Sequence, residues 1–123
     1  MAAIEITASN LNEIVENNDI VFLDFWAEWC GPCRSFAPTY EAAAEANPDI
    51  VFGKIDTEQE LELATAFQIR SIPTIAAIRQ GILVFRHSGA LPASALDQVI
   101  ESVRQLDMDQ VRAEIAAEQQ KRS

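Results

Sequence analysis

The sequence predicts an α/β domain with a central mixed sheet of about five strands and helices on both faces. Three observations predict it. A continuous apolar run at residues 20–23, extended to Trp26 and broken only by Asp24, has the pattern of a strand covered on both faces. Strand-like and helix-like segments then alternate, which implies parallel pairing. After Pro73 the alternation stops, and apolar segments at 74–78 and 82–85 are joined through Gln80-Gly81, a separation short enough only for an antiparallel hairpin.

Each element has its own signal. Ile4 and Ile6 alternate as a short strand, and Ser9 is the expected cap of a helix with Leu11, Ile14 and Val15 on one face. After the strand at 20–26, residues 34–47 carry Phe36 and Tyr40 on one side of a helix that Pro38 should kink and Asn47-Pro48-Asp49 should end. Residues 50–55 form the next strand. Thr57-Glu58-Gln59-Glu60 has the spacing of a capping box, opening a helix with Leu61, Ala64 and Phe67 inward. Gly89 closes the second hairpin strand, and Pro92 suits the first turn of a helix whose Leu96, Val99, Ile100, Val103 and Leu106 form an apolar stripe. Asp107-Met108-Asp109 interrupts the pattern. From Gln110 a further helix is expected, with Met108, Val111 and Ile115 at helical spacing, before a frayed segment at 119–123. The chain therefore divides into a domain over residues 1–106 and a helical extension over 107–123, which either packs on its own domain or docks a partner or a second copy.

A chain of 123 residues is long enough for one domain with a core, and too short for two of ordinary size. No repeat and no apolar run of membrane-spanning length is present. The net charge of −10 argues against nucleic acid and anionic membranes as partners, because both would be approached through repulsion. Proteins are the expected partners and a monomer the expected state. The first ten residues lack the basic and apolar regions of a secretory signal, so a reducing cytoplasm is the expected location.

Both cysteines of the chain lie in Trp29-Cys30-Gly31-Pro32-Cys33, between the buried strand and the helix that follows. Unpaired N–H groups and the dipole at a helix start stabilise a thiolate, so this placement points to redox chemistry, with Cys30 as the more exposed nucleophile. Other readings of the pair are weaker. A structural disulfide closing so short a loop stabilises by only about 2 kcal/mol before strain. A zinc site needs about four ligands, and only His87 and carboxylates could complete one. Inert buried thiols fit poorly with the flanking Trp29 and the Gly31-Pro32 turn. Asp24 needs its own explanation, since a carboxylate is costly to bury in such a strand: it is either a general base for the second thiol or a satisfied polar residue linking sheet and helix.

The segment Asp24-Phe25-Trp26-Ala27-Glu28-Trp29-Cys30-Gly31-Pro32-Cys33, with Ile72-Pro73-Thr74 and Gly89-Ala90-Leu91 at the matching separations, resembles the thioredoxin family from about Ile4 to about Leu106. The resemblance implies a thioredoxin fold with an added C-terminal helix, and a protein-disulfide reductase without metal or cofactor. It implies that Cys30 attacks, Cys33 resolves, Asp24 takes the proton from Cys33, and Lys54 beside Asp24 limits the rise of its pKa, unless Lys54 is merely an exposed strand lysine. A cis bond before Pro73 is also implied, which only about one X-Pro bond in twenty adopts. Trp29, Gly31, Pro32, Ile72, Pro73, Gly89 and Ala90 are the implied substrate-binding residues, with the Ile72 backbone pairing an extended substrate segment. Trp26 is read as packing behind the loop. Ser71 stands where small residues including glycine occur in relatives, which implies a slightly altered substrate groove, and His87 reads as a strand-end residue rather than a catalytic one.

Disulfide-bearing proteins are then the substrates and a thioredoxin reductase the electron donor. A reading from another class is a thioredoxin-fold holdase or assembly subunit whose extension engages the partner, with redox activity secondary. An oxidase or isomerase is disfavoured by Gly31-Pro32, which the family associates with reductants.

Overall fold

The computed structural model describes residues 2–122. The elements run β1 (Ile4–Glu5), α1 (Leu11–Asn17), β2 (Ile20–Trp26), α2 (Gly31–Ala46), β3 (Val51–Asp56), α3 (Leu61–Ala66), β4 (Thr74–Arg79), β5 (Ile82–Ser88), α4 (Ala93–Arg104) and α5 (Met108–Arg122). They form one five-stranded sheet in the order β1-β3-β2-β4-β5. The central strand β2 pairs parallel with β3 and antiparallel with β4, so the predicted mixed sheet is the one observed.

Alternation along β2 sorts the core into two halves. Ile20 and Phe22 point to one face, where Phe36 and Tyr40 of α2 and Leu96 and Ile100 of α4 cover them. Val21, Leu23 and Phe25 point to the other, against Leu11 of α1 and Leu63 and Phe67 near α3. Since side chains two apart share a face, Asp24 lies on the side that α2 covers. Phe22 stacks on Phe52 at 5.3 Å and Tyr40 meets Phe52 edge-on at 5.4 Å, a cluster that fixes α2 to the sheet. The Tyr40 hydroxyl donates to the Gly53 carbonyl at 2.8 Å. A Cβ at Gly53 would overlap the buried Ile6 side chain just past β1, which would have to shift to admit a larger residue.

Two arginines hold helix ends to the sheet. Arg79 at the end of β4 donates to the carbonyls of Val103, Arg104 and Leu106 at 2.9, 3.2 and 2.7 Å, which closes the C-terminus of α4. Arg86 does the same for α3 through the Phe67 and Gln68 carbonyls. Arg79→Met leaves those α4 carbonyls unpaired in a half-buried place, and a loss of about 2 kcal/mol is expected, read as a lower urea midpoint with unchanged slope.

Several local expectations are corrected. Ser9 does not cap α1: Asn10 holds the N-cap position, but its side chain accepts from the Thr7 N–H and donates to the Glu5 carbonyl instead of capping. The capping box at 57–60 does not form, because the Thr57 hydroxyl donates to the Trp26 carbonyl and Asp56 takes the Glu58 N–H. Helix α3 consequently starts at Leu61, which is 65 % exposed, while Leu63 and Phe67 point inward. Helix α2 begins at Gly31 rather than at residue 34, and it continues through Pro38. Pro92 is the N-cap of α4, one position before its first turn. Strand β5 reaches Ser88, three residues past the predicted end.

The extension is one helix. Asp107 accepts the Gln110 N–H at 3.1 Å and starts α5, Met108 is buried, and Arg112 donates to the Gln80 side chain at 2.6 Å, which ties the helix to the hairpin. Fraying from Gln119 is not observed, since α5 extends to Arg122. Met1 and Ser123, the ends of the two predicted segments, lie outside the described residues.

Candidate active site

Cys30 and Cys33 are joined by a disulfide. Cys30 is the N-cap of α2, and its sulfur accepts the Cys33 N–H at 3.2 Å. The helix start and the expected nucleophile therefore coincide. A sulfur that bears negative charge here meets the unpaired N–H groups and the positive end of the dipole directly. In this disulfide form neither cysteine is the more exposed, at 4 % and 3 %, which corrects the expected difference. Access differs by neighbours instead. Cys30, with Trp29, Gly31, Pro32 and Ile72, lines an open hollow, whereas Cys33 does not. The Ile72 carbonyl oxygen lies 3.8 Å from the Cys30 sulfur.

Asp24 is completely buried, and neither carboxyl oxygen has a hydrogen-bond partner among the described residues. Burial raises its pKa from the ordinary 3.8 to about 7, and the positive charge of Lys54 offsets part of the rise. Lys54 is the register partner of Asp24 on β3, and its Nζ sits 4.9 Å from the Trp26 ring centroid. Sheet pairing thus brings Lys54 of β3 to Asp24 and Trp26 of β2. Tyr40 belongs to the same electrostatic unit: burial first and the Asp24 charge second push its hydroxyl well above the ordinary range. Reading the sequence missed this. The available signal was the spacing of Cys33, Phe36 and Tyr40 at i, i+3 and i+7, which sets them on one face of α2.

The bond between Ile72 and Pro73 is cis. Gly89, with φ of 108°, donates its N–H to the Pro73 carbonyl at 2.7 Å, so its contact is with the proline turn. Gly89 and Ala90 do not line the hollow that holds Trp29 and Ile72, while Ser71, Arg70 and Glu58 do. Trp29 is 66 % exposed and Trp26 half-buried against the cysteine cluster. His87 lies on β5 opposite Ile75, within the strand. Among the described residues no group of three ligating side chains is placed to hold a metal.

A family model described as Thioredoxin matches residues 2–102. The chain belongs to the thioredoxin family. It is 54 % identical to a putative thioredoxin 2 of Streptomyces coelicolor over 118 residues, covering 96 % of this chain and 88 % of that protein. An alignment that long takes in part of α5, so the extension is shared with that relative. Thioredoxin C-3 of Corynebacterium nephridii is 43 % identical over 99 residues, 80 % of this chain and 68 % of that protein. Among solved structures, Plasmodium falciparum thioredoxin superposes with a TM-score of 0.75 at 36 % identity, over 81 % of this chain and 97 % of that one. With the family's cysteine pair in place, this thioredoxin-family chain is a thiol–disulfide oxidoreductase acting through Cys30 and Cys33. The binding-module reading is not favoured by these similarities.

Proposed function

We propose that the protein is a general cytoplasmic reductant of protein disulfides, monomeric, and recharged by a thioredoxin reductase. The observation that carries the reading is the Cys30 sulfur at the N-cap of α2, beside the Ile72 carbonyl and open to the hollow. In the reduced protein, the Cys30 thiolate attacks one sulfur of a substrate disulfide. A Cys30–substrate bond forms, the substrate bond breaks, and the departing thiolate takes a proton. Asp24 accepts the proton of Cys33, whose sulfur then attacks Cys30 and releases the second substrate thiol. Two enzyme thiols become a disulfide and one substrate disulfide becomes two thiols. Lys54 tunes Asp24. Trp29, Gly31, Pro32, Ile72 and Pro73 hold the substrate, and Gly89 and Ala90 support the Pro73 turn beside them. Residues 1–106 form the catalytic domain and 107–123 an added helix. No helix among the described residues is long and apolar enough to cross a membrane.

The test is a coupled assay with NADPH, a thioredoxin reductase and a disulfide-bridged protein. NADPH consumption is expected only when this protein is present, and a chain ending at Leu106 should retain most of the rate. A flat trace with active reductase would overturn the reductant reading. Loss of activity confined to removal of 107–123 would favour the partner-binding role of the extension.

A further inference from the structure

The hollow beside Cys30 is lined by two charged residues whose side chains have no partner among the described residues. Arg70 and Glu58 are its one cationic and one anionic lining residue among the described residues, and neither side chain has a hydrogen bond or ion pair, with each other or with any third group. Two other cations near the active-site segment have partners: Arg34 donates to the Glu28 carbonyl at 2.9 Å, and the Lys54 Nζ lies 4.9 Å from the Trp26 ring centroid. Arg70 also projects from a fixed main chain. The Ile69 N–H before it bonds the Ala64 carbonyl at 2.9 Å, and the Ser71 carbonyl after it accepts the Thr74 hydroxyl at 2.7 Å. An exposed, unpaired arginine lining this hollow, in a chain of net charge −10, is a local exception to a repulsive field. Its planar fork matches a carboxylate better than any other side-chain partner.

We propose that Arg70 is a specificity-determining residue, drawing substrates that carry a carboxylate beside the attacked cysteine. Glu58 on the same wall imposes the opposite sign at its own position, so an extended substrate segment is read for the order of its charges as well as for its sulfur. Main-chain pairing at Ile72 accepts many sequences, and this charge pattern ranks them. The inference rests on the reading of the hollow as the substrate groove.

The experiment uses three disulfide-bridged peptides that differ only in one residue next to the attacked cysteine, Glu, Gln or Lys, prepared with that residue on either side. Wild type is expected to favour Glu over Lys on one side by about three- to tenfold in kcat/KM at low salt, carried mainly by KM, as two exposed charge interactions of ordinary strength imply. The preference should shrink as salt shortens the screening length. Arg70→Gln should bring the ratio towards one and Arg70→Glu should invert it, while Arg122→Gln, at the far end of α5, keeps the wild-type ratio. Equal efficiency for all peptides, or a preference that survives Arg70→Glu, would overturn charge selection while leaving the groove intact. Failure of wild type to reduce any of the three would overturn both.

Discussion

Cys33→Ser is expected to stop the reaction half way, leaving the protein covalently joined to its substrate. Cys30 keeps its N-cap position and the helix start that stabilises its thiolate, so the first attack proceeds and one substrate thiol leaves. Serine cannot displace the second sulfur. Multiple turnover should fall by about 10³-fold or more, the scale seen when one member of a catalytic pair is removed, and each protein molecule should retain one substrate molecule. Mass spectrometry reads the adduct directly, and excess dithiol should release it. Cys30→Ser should lose turnover equally and form no adduct, because Cys33 lies outside the hollow. The reverse pattern, an adduct on Cys33 alone, would exchange the two roles and remove the reason for the groove at Ile72.

That asymmetry marks what was legible in the chain. The apolar run of β2 and the cysteine motif were readable because both are local: one rests on composition and the other on two residues three apart. The reading of α2 erred by one turn because its cap is a cysteine, whose sulfur accepts the Cys33 N–H where Ser, Thr, Asp or Asn would be expected. The capping errors at Ser9 and Thr57 share another cause. Short polar side chains have several backbone partners within reach, and the tertiary structure decides between them, as when Thr57 turns to the Trp26 carbonyl thirty-one residues away. Non-local groupings were invisible without the family resemblance or the fold. Lys54 meets Asp24 only through β2–β3 register, Tyr40 joins them only through the packing of α2, and Arg70 comes to line the same hollow as Cys30 only through the fold.

Asp24 is where these non-local effects become measurable, and its replacement is expected to act in opposite directions on stability and rate. The folded protein holds the Asp24 proton more tightly than the unfolded chain, up to about pH 7 against an ordinary 3.8. Between those values the native state binds the extra proton, so the stability contributed by the neutral carboxyl is present at low pH and lost as pH rises through about 7. The difference corresponds to about 4 kcal/mol. Relative to Asp24→Asn, which cannot ionise, wild type should therefore lose about that much stability between pH 4 and pH 8, measured as paired urea titrations. A gap that stays constant with pH would show that burial does not hold the proton on this carboxyl. Catalysis runs the other way. In the proposed role the charged carboxylate takes the Cys33 proton, so release of the mixed disulfide should quicken in wild type as pH rises through about 7, and Asp24→Asn should slow it by up to about 10²-fold with that inflection removed. Lys54→Met should move the inflection upward, since the lysine charge is what restrains the rise. Burial at the centre of the sheet thus gives one carboxyl two opposed effects: it weakens the fold as pH rises through about 7, over the same range in which the proposed role gains its charged base.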